Sequence, residues 1–161
     1  MKISLGARGV TGGLVVIIAA AVILAACGTG PPTNAPAVTA SPATSTATEV
    51  TVTESEYRID LSAVTSPAGK VTFHIKNAGT MVHEFVVIKT DLTADKVPLA
   101  SSGVEVDEDA TGLTAVDEVE DIAAGASADL DVDLAAGHYV LICNIPGHYP
   151  SGMHVDFTVG G

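Results

Sequence analysis

The chain is 161 residues long and acidic, with 19 Asp and Glu against 7 Lys and Arg and a formal net charge of −12. Phosphate recognition needs clustered Lys and Arg, so nucleic acid is not an expected partner. The imbalance is also lopsided: no Lys or Arg follows Lys96, whereas Glu105 to Asp109, Asp117 to Asp121, Asp129 to Asp133 and Asp156 supply carboxylates throughout the second half.

Lys2 and Arg8 precede an apolar run from Leu14 to Ala26, which reads as an export signal rather than a fold element. Leu24-Ala-Ala-Cys27 resembles a bacterial lipobox. It implies a signal peptide over residues 1–26, cleavage before Cys27 and acylation of the Cys27 thiol. An uncleaved anchor is the alternative, because the apolar run approaches the roughly 20 residues a membrane span requires. Either reading puts the remainder outside the cytoplasm, as a lipoprotein anchored to the cell membrane, with a secreted or periplasmic protein as the other possibility. Loss of Lys2 and Arg8 leaves 19 acidic against 5 basic side chains, a net charge of −14.

Residues 28–47 are Pro, Thr, Ala and Ser in the main, without an aromatic residue, and cannot bury enough apolar surface to fold. With Cys27 they read as a tether. It would reach about 25 Å as a flexible coil and up to about 60 Å as an extended spacer. Residues 48–161 then form one domain with a single core.

Within that domain, Thr48–Thr53 alternates around Val50 and Val52, and Tyr57–Leu61 around Tyr57, Ile59 and Leu61, as half-buried strands do. Ser66-Pro-Ala-Gly69 predicts a turn. Val71, Phe73 and Ile75 share one face of the next strand, which leaves His74 on the solvent side and outside any ligand set. Asn77-Ala-Gly79 turns again, and Phe85–Ile88 is a strand that follows His83. Residues from about 91 to 117 are acidic with weak periodicity, and predict a short helix or an irregular excursion with a solvated acidic face. They lack the regular acidic spacing around a central Gly that a calcium loop uses. Asp129-Leu-Asp-Val-Asp-Leu134 alternates strictly, an edge or half-exposed strand whose outward carboxylates discourage edge pairing. Val140–Ile142 is a buried strand and Val155, Phe157 and Val159 mark the last one. The expected fold is therefore all-β, a Greek-key β-sandwich of about seven or eight strands.

Cys143, His148 and Met153 follow the Val140–Ile142 strand at C-x4-H-x4-M spacing, in a loop broken by Pro146, Gly147, Pro150 and Gly152. A thiolate, an imidazole and a thioether are three of the four donors of a blue-copper site, which takes His2Cys in a plane and a weak axial Met. His83, also at a loop running into a strand, is the best source of the second imidazole. If Cys27 carries lipid, Cys143 is the one remaining thiol and no intramolecular disulfide can form. Metal ligation accounts for a lone exported thiol, where the alternative is an inert buried Cys packed as a small hydrophobe. His138 falls on the strand face opposite Cys143 and reads as structural or exposed, and His154 reads as a surface residue beside Met153, with replacement of Met153 as a ligand as the alternative.

From about residue 48 to 161 the sequence resembles a small cupredoxin of the sulfocyanin, rusticyanin and plastocyanin-like kind. The resemblance implies a cupredoxin sandwich holding one mononuclear type 1 copper ion, with ligands His83, Cys143, His148 and Met153. Many cupredoxins place Asn directly after the upstream His; Glu84 stands there in this chain. By the same resemblance, His148 would show an imidazole edge near the surface within a rim of Met81, Ile145, Pro146, Tyr149 and Pro150.

Such a site implies a one-electron carrier at the outer face of the plasma membrane. Its expected partners are redox proteins such as a c-type cytochrome, an oxidase or a reductase, together with the membrane through the lipid, and the chain is expected to be a monomer. The alternative is an extracytoplasmic protein for copper delivery or buffering. Nothing in the sequence signals an enzyme: further His-x-His clusters, a second loop Cys for a two-copper centre, and a base-orienting partner for a Cys-His nucleophile are all missing.

Overall fold

A computed structural model describes residues 47–161; the expected signal peptide, Cys27 and nearly all of the linker lie outside the described residues. Nine strands form two sheets, and their bounds are Thr48–Ser55 (β1), Arg58–Leu61 (β2), Thr65–Pro67 (β3), Gly69–Asn77 (β4), His83–Lys89 (β5), Thr114–Ile122 (β6), Ser127–Leu134 (β7), Gly137–Ile142 (β8) and His154–Gly160 (β9). One sheet has the order β2-β1-β4-β7 and the other β3-β9-β8-β5-β6. Pairing is antiparallel except for β1 with β4 and β3 with β9.

Period-two alternation builds the first sheet. It turns Val50 and Val52 of β1, Val71, Phe73 and Ile75 of β4, and Leu130, Val132 and Leu134 of β7 into the core. Phe73 spans the two layers, its ring centroid 5.3 Å from Phe85 and 5.5 Å from Phe157 in the opposite sheet. The central strands β5 and β8 are buried on both faces. Their second face, Val86, Ile88, Val140 and Ile142, is covered by Ala94, Val97, Val106 and Tyr149. Burial on both sides is why Phe85–Ile88 and Val140–Ile142 read as unbroken apolar runs rather than alternating ones.

The acidic excursion is ordered by that cover. It contains a single 3-10 turn at Ala94–Lys96 and an isolated bridge between Leu99 and Val106. Val97 and Val106 are each 4% exposed. At about 1.5–3 kcal/mol per buried Val-sized side chain, they are enough to hold down a segment that is otherwise polar.

Three details differ from expectation. Residues 114–122 form a strand, β6, instead of the end of the excursion. It is an edge strand with only Ile122 buried, so no apolar alternation announces it. Ser66 and Pro67 belong to a short edge strand, β3, which tolerates Pro because its free side lacks a neighbour. Tyr57 is not in β2 but in the β1–β2 turn, with φ 64° and nearly half its surface exposed. The Asp129–Leu134 segment lies in β7 at a sheet edge, as its alternating carboxylates predict.

Candidate metal centre

The order β9-β8-β5 puts the start of β5, the end of β8 and the start of β9 at the same end of one sheet. His83 opens β5, Cys143 directly follows β8, and Met153 directly precedes β9. Sixty residues of sequence between His83 and Cys143 are thus closed by sheet register.

The loop between β8 and β9 is fixed by its own backbone. Cys143 N–H donates to Met153 C=O at 3.1 Å, Met153 N–H to His148 C=O at 3.1 Å, and His148 N–H to Ile145 C=O at 2.9 Å. Gly147 and Gly152 sit at φ 87° and 109°, a region that favours glycine, and allow the loop to reverse twice. Gly147 N–H also donates to Val104 C=O at 2.7 Å, so the acidic excursion buttresses the ligand loop.

The result is three converging donors. His148 Nδ1 lies 3.3 Å from Cys143 Sγ, His83 Nδ1 3.9 Å from the same sulfur, and the two Nδ1 atoms 3.4 Å apart. Metal bonds to nitrogen and sulfur of roughly 2.0–2.3 Å let donors of one ion stand up to roughly 4.3 Å apart, and all three separations fall within that limit. Met153 is fully buried in the core beside Cys143. Two imidazoles, a thiol and a thioether form the donor set that suits copper.

Electrostatics agree with a ligand role. Burial lowers the pKa of both His83 and His148, which keeps the imidazoles neutral and their nitrogen lone pairs available. Burial pushes the Cys143 thiol up to about 11, so a metal must displace a proton to bind the sulfur.

Around the donors stand Asn77 and Asn144, to which sequence reasoning gave no role at the site, and Glu84, which it had noted only as a departure from the cupredoxin pattern. Asn77, fully buried, donates from Nδ2 to Met81 C=O and Ile122 C=O, each at 2.8 Å, and accepts from Gly79 N–H at 2.9 Å. It ties the loop before His83 to β6; its turn-like sequence context gave no sign of that. Glu84 contributes its backbone N–H, which donates to Cys143 Sγ at 3.3 Å. Asn144 accepts from Val106 N–H at 2.6 Å and donates to Glu108 at 2.7 Å, joining the ligand loop to the excursion.

The remaining histidines are elsewhere. His74 is exposed between Glu49 at 2.6 Å and Asp129 at 2.7 Å, and these carboxylates raise its pKa. His138 bonds Thr90 C=O and Asp156. His154 is half-buried, and its ring packs at a tilt against Tyr149 with centroids 4.9 Å apart. Two expectations about the rim change as well. His148 is only 2% exposed, and Tyr149 is buried with its hydroxyl donating to Ala94 C=O and accepting from Val97 N–H, so Tyr149 faces the excursion rather than solvent.

A match to the sulfocyanin (SoxE) domain family covers residues 38–161. Auracyanin-A of Chloroflexus aurantiacus is 31% identical over 146 residues, covering 85% of this chain and 89% of that protein. Among solved structures, dithionite-reduced auracyanin from Roseiflexus castenholzii aligns with a TM-score of 0.55 at 24% identity, over 71% of this chain and 98% of that one. Auracyanin A from Chloroflexus aurantiacus, described as a "blue" copper protein, aligns with a TM-score of 0.50 at 24% identity, over 70% of this chain and 99% of that one.

Proposed function

The chain belongs to the sulfocyanin (SoxE) domain family of blue copper cupredoxins, and from that premise we propose that it carries single electrons between redox proteins outside the cytoplasm. The observation that carries the proposal is the convergence of His83 Nδ1, His148 Nδ1 and Cys143 Sγ within 4.8 Å of one another in a buried site. Copper bound there would supply a one-electron couple. The protein's part is to hold the donors where neither oxidation state is fully suited, so that little moves on electron transfer. Cys143 would hold the ion as a thiolate after giving up its proton, His83 and His148 would hold it through Nδ1, and Met153 would offer its thioether.

A carrier fits better than an enzyme because His83 and Cys143 are fully buried and His148 nearly so, which leaves no ligand edge open to a substrate. Copper delivery is the second reading, and the buried thiolate argues against it, since a delivered ion must be reached by its acceptor. Electron self-exchange followed by NMR line broadening, with a chelator competition on the same sample, separates the two. Rapid self-exchange with slow copper loss supports a carrier; slow exchange with ready copper loss supports delivery.

Tyr57, against the His148 ring, and Met81 and Val82, just before His83, are exposed large hydrophobics at 48%, 43% and 41% exposure, and we place partner docking there. Weak redox encounters use small patches of this kind. Met81→Glu then slows transfer to a c-type cytochrome, and an unchanged rate removes the patch from the account. The acidic surface favours a cationic partner at low ionic strength. Signal-peptide removal over residues 1–26, lipidation of Cys27 and a tether up to residue 47 complete the proposal of a membrane-anchored monomer. Cys27→Ala should release it into the soluble fraction; continued membrane retention would contradict the anchor.

A further inference from the structure

The turn between β1 and β2 reaches both ligand loops with two adjacent residues. Glu56 accepts hydrogen bonds from Thr80 N–H at 2.5 Å, Thr80 Oγ1 at 3.0 Å and Met81 N–H at 3.0 Å, and so grips the segment leading into His83. The grip depends on Gly79, where a Cβ would come within 2.7 Å of Glu56 Oε1. Tyr57 turns the other way. Its ring stands edge-on to His148, with centroids 5.8 Å apart and planes at 85°. Its carbonyl oxygen lies 3.5 Å from the position a Cβ on Gly152 would take.

Tyr57 holds φ 64°, in a region that side chains other than Gly seldom adopt. Such a conformation persists where its surroundings over-determine it, and the Glu56 grip next door does so. His148 lies against this turn. Its Nδ1 faces Cys143 Sγ, while its Nε2, the outward nitrogen, is buried and has no hydrogen-bond partner among the described residues. Tyr57 itself remains 48% exposed, so it stands between the imidazole and solvent.

We propose that Tyr57 is a positioning residue for the electron-transfer site, a lid whose ring keeps water off the outward N–H of His148 and thereby favours the reduced state. The inference rests on the copper-carrier reading. Oxidation removes one electron to an oxidised partner protein and leaves the centre one positive charge richer. Reduction takes one electron from a reduced partner and restores it, with no bond to Tyr57 made or broken. Water at the imidazole edge would stabilise the more charged, oxidised centre, and the shell around a metal site sets its potential by controlling such access. The Tyr57 hydroxyl makes no hydrogen bond among the described residues, so the ring alone is the active part and Tyr57→Phe retains it.

The test uses the copper-loaded protein beside Tyr57→Phe and Tyr57→Ala. In the reduced, diamagnetic state, exchange of the His148 Nε2 proton with water is followed by NMR, and the reduction potential of each protein is measured. The lid predicts slow exchange and equal potentials for the wild type and Tyr57→Phe. For Tyr57→Ala it predicts exchange faster by on the order of tenfold or more and a lower potential. Fast Nε2 exchange in the wild type overturns it without recourse to any variant, and so does a potential that is the same in all three. These outcomes are separable from the parent reading. Slow electron self-exchange alongside the predicted contrasts leaves the lid standing and removes the carrier; rapid self-exchange with fast Nε2 exchange removes the lid alone.

Discussion

The backbone N–H of Glu84 points at Cys143 Sγ from 3.3 Å, joining the first residue after one ligand to the sulfur of another. The bond does not depend on the Glu84 side chain, so an acid is compatible with this position.

Removing that N–H should lower the reduction potential. A hydrogen bond to the sulfur draws electron density from the thiolate and weakens its donation to the oxidised metal. Glu84 lies at the register irregularity between His83 and Phe85 in the β5–β6 pairing, and the pairing with β8 begins at Val86. Glu84→Pro therefore removes the sulfur bond without breaking a paired rung. Voltammetry should find a lower potential with the charge-transfer band retained; an unchanged potential would mean the bond has no electronic role.

Asn77→Ala should destabilise the domain by roughly 2–4 kcal/mol. The amide makes three hydrogen bonds inside the protein, each worth about 1 kcal/mol, and its loss strands Met81 C=O, Ile122 C=O and Gly79 N–H. Denaturant unfolding of the copper-free domain measures the loss directly. A cost below about 0.5 kcal/mol, the range of ordinary surface changes, would show that Asn77 does not hold the His83 loop.

Glu54 makes stability depend on pH. It is fully buried in β1, neither carboxylate oxygen has a partner among the described residues, and burial, reinforced by the Glu84 carboxylate, raises its pKa to about 8. Above the ordinary value of 4.5, the unfolded chain loses this proton while the folded protein keeps it until about pH 8. The unfolded state then binds fewer protons, so the group's contribution to stability falls as pH rises between those values, by about 1.4 kcal/mol for each unit of separation. Glu54→Gln should flatten that slope in the copper-free domain. Parallel curves for the two proteins would mean that Glu54 is ionised in the fold.

How much of this was legible depends on the kind of signal. Cys143, His148 and Met153 share one loop of the sequence, and that local clustering is visible without a structure. His83 could be chosen because it too sits where a loop enters an apolar strand. β5 and β8 could be recognised because burial on both faces leaves continuous apolar runs, and β7 because its Asp residues alternate. β6 could not, since its residues are nearly all exposed and carry no period. Tyr149 reads as an amphipathic rim residue, and only the fold shows that Ala94 and Val97 satisfy its hydroxyl from more than fifty positions away. Glu56 and Tyr57 fall in the same class. Nothing near them in sequence indicates that one turn would meet both ligand loops.

The most direct test of the copper assignment is the visible spectrum of the domain from residue 48 onward, loaded with Cu(II), beside Cys143→Ser. An intense thiolate-to-copper charge-transfer band that bleaches reversibly on one-electron reduction and vanishes in Cys143→Ser is the predicted result. A colourless protein, or weak bands identical in the two proteins, would contradict it.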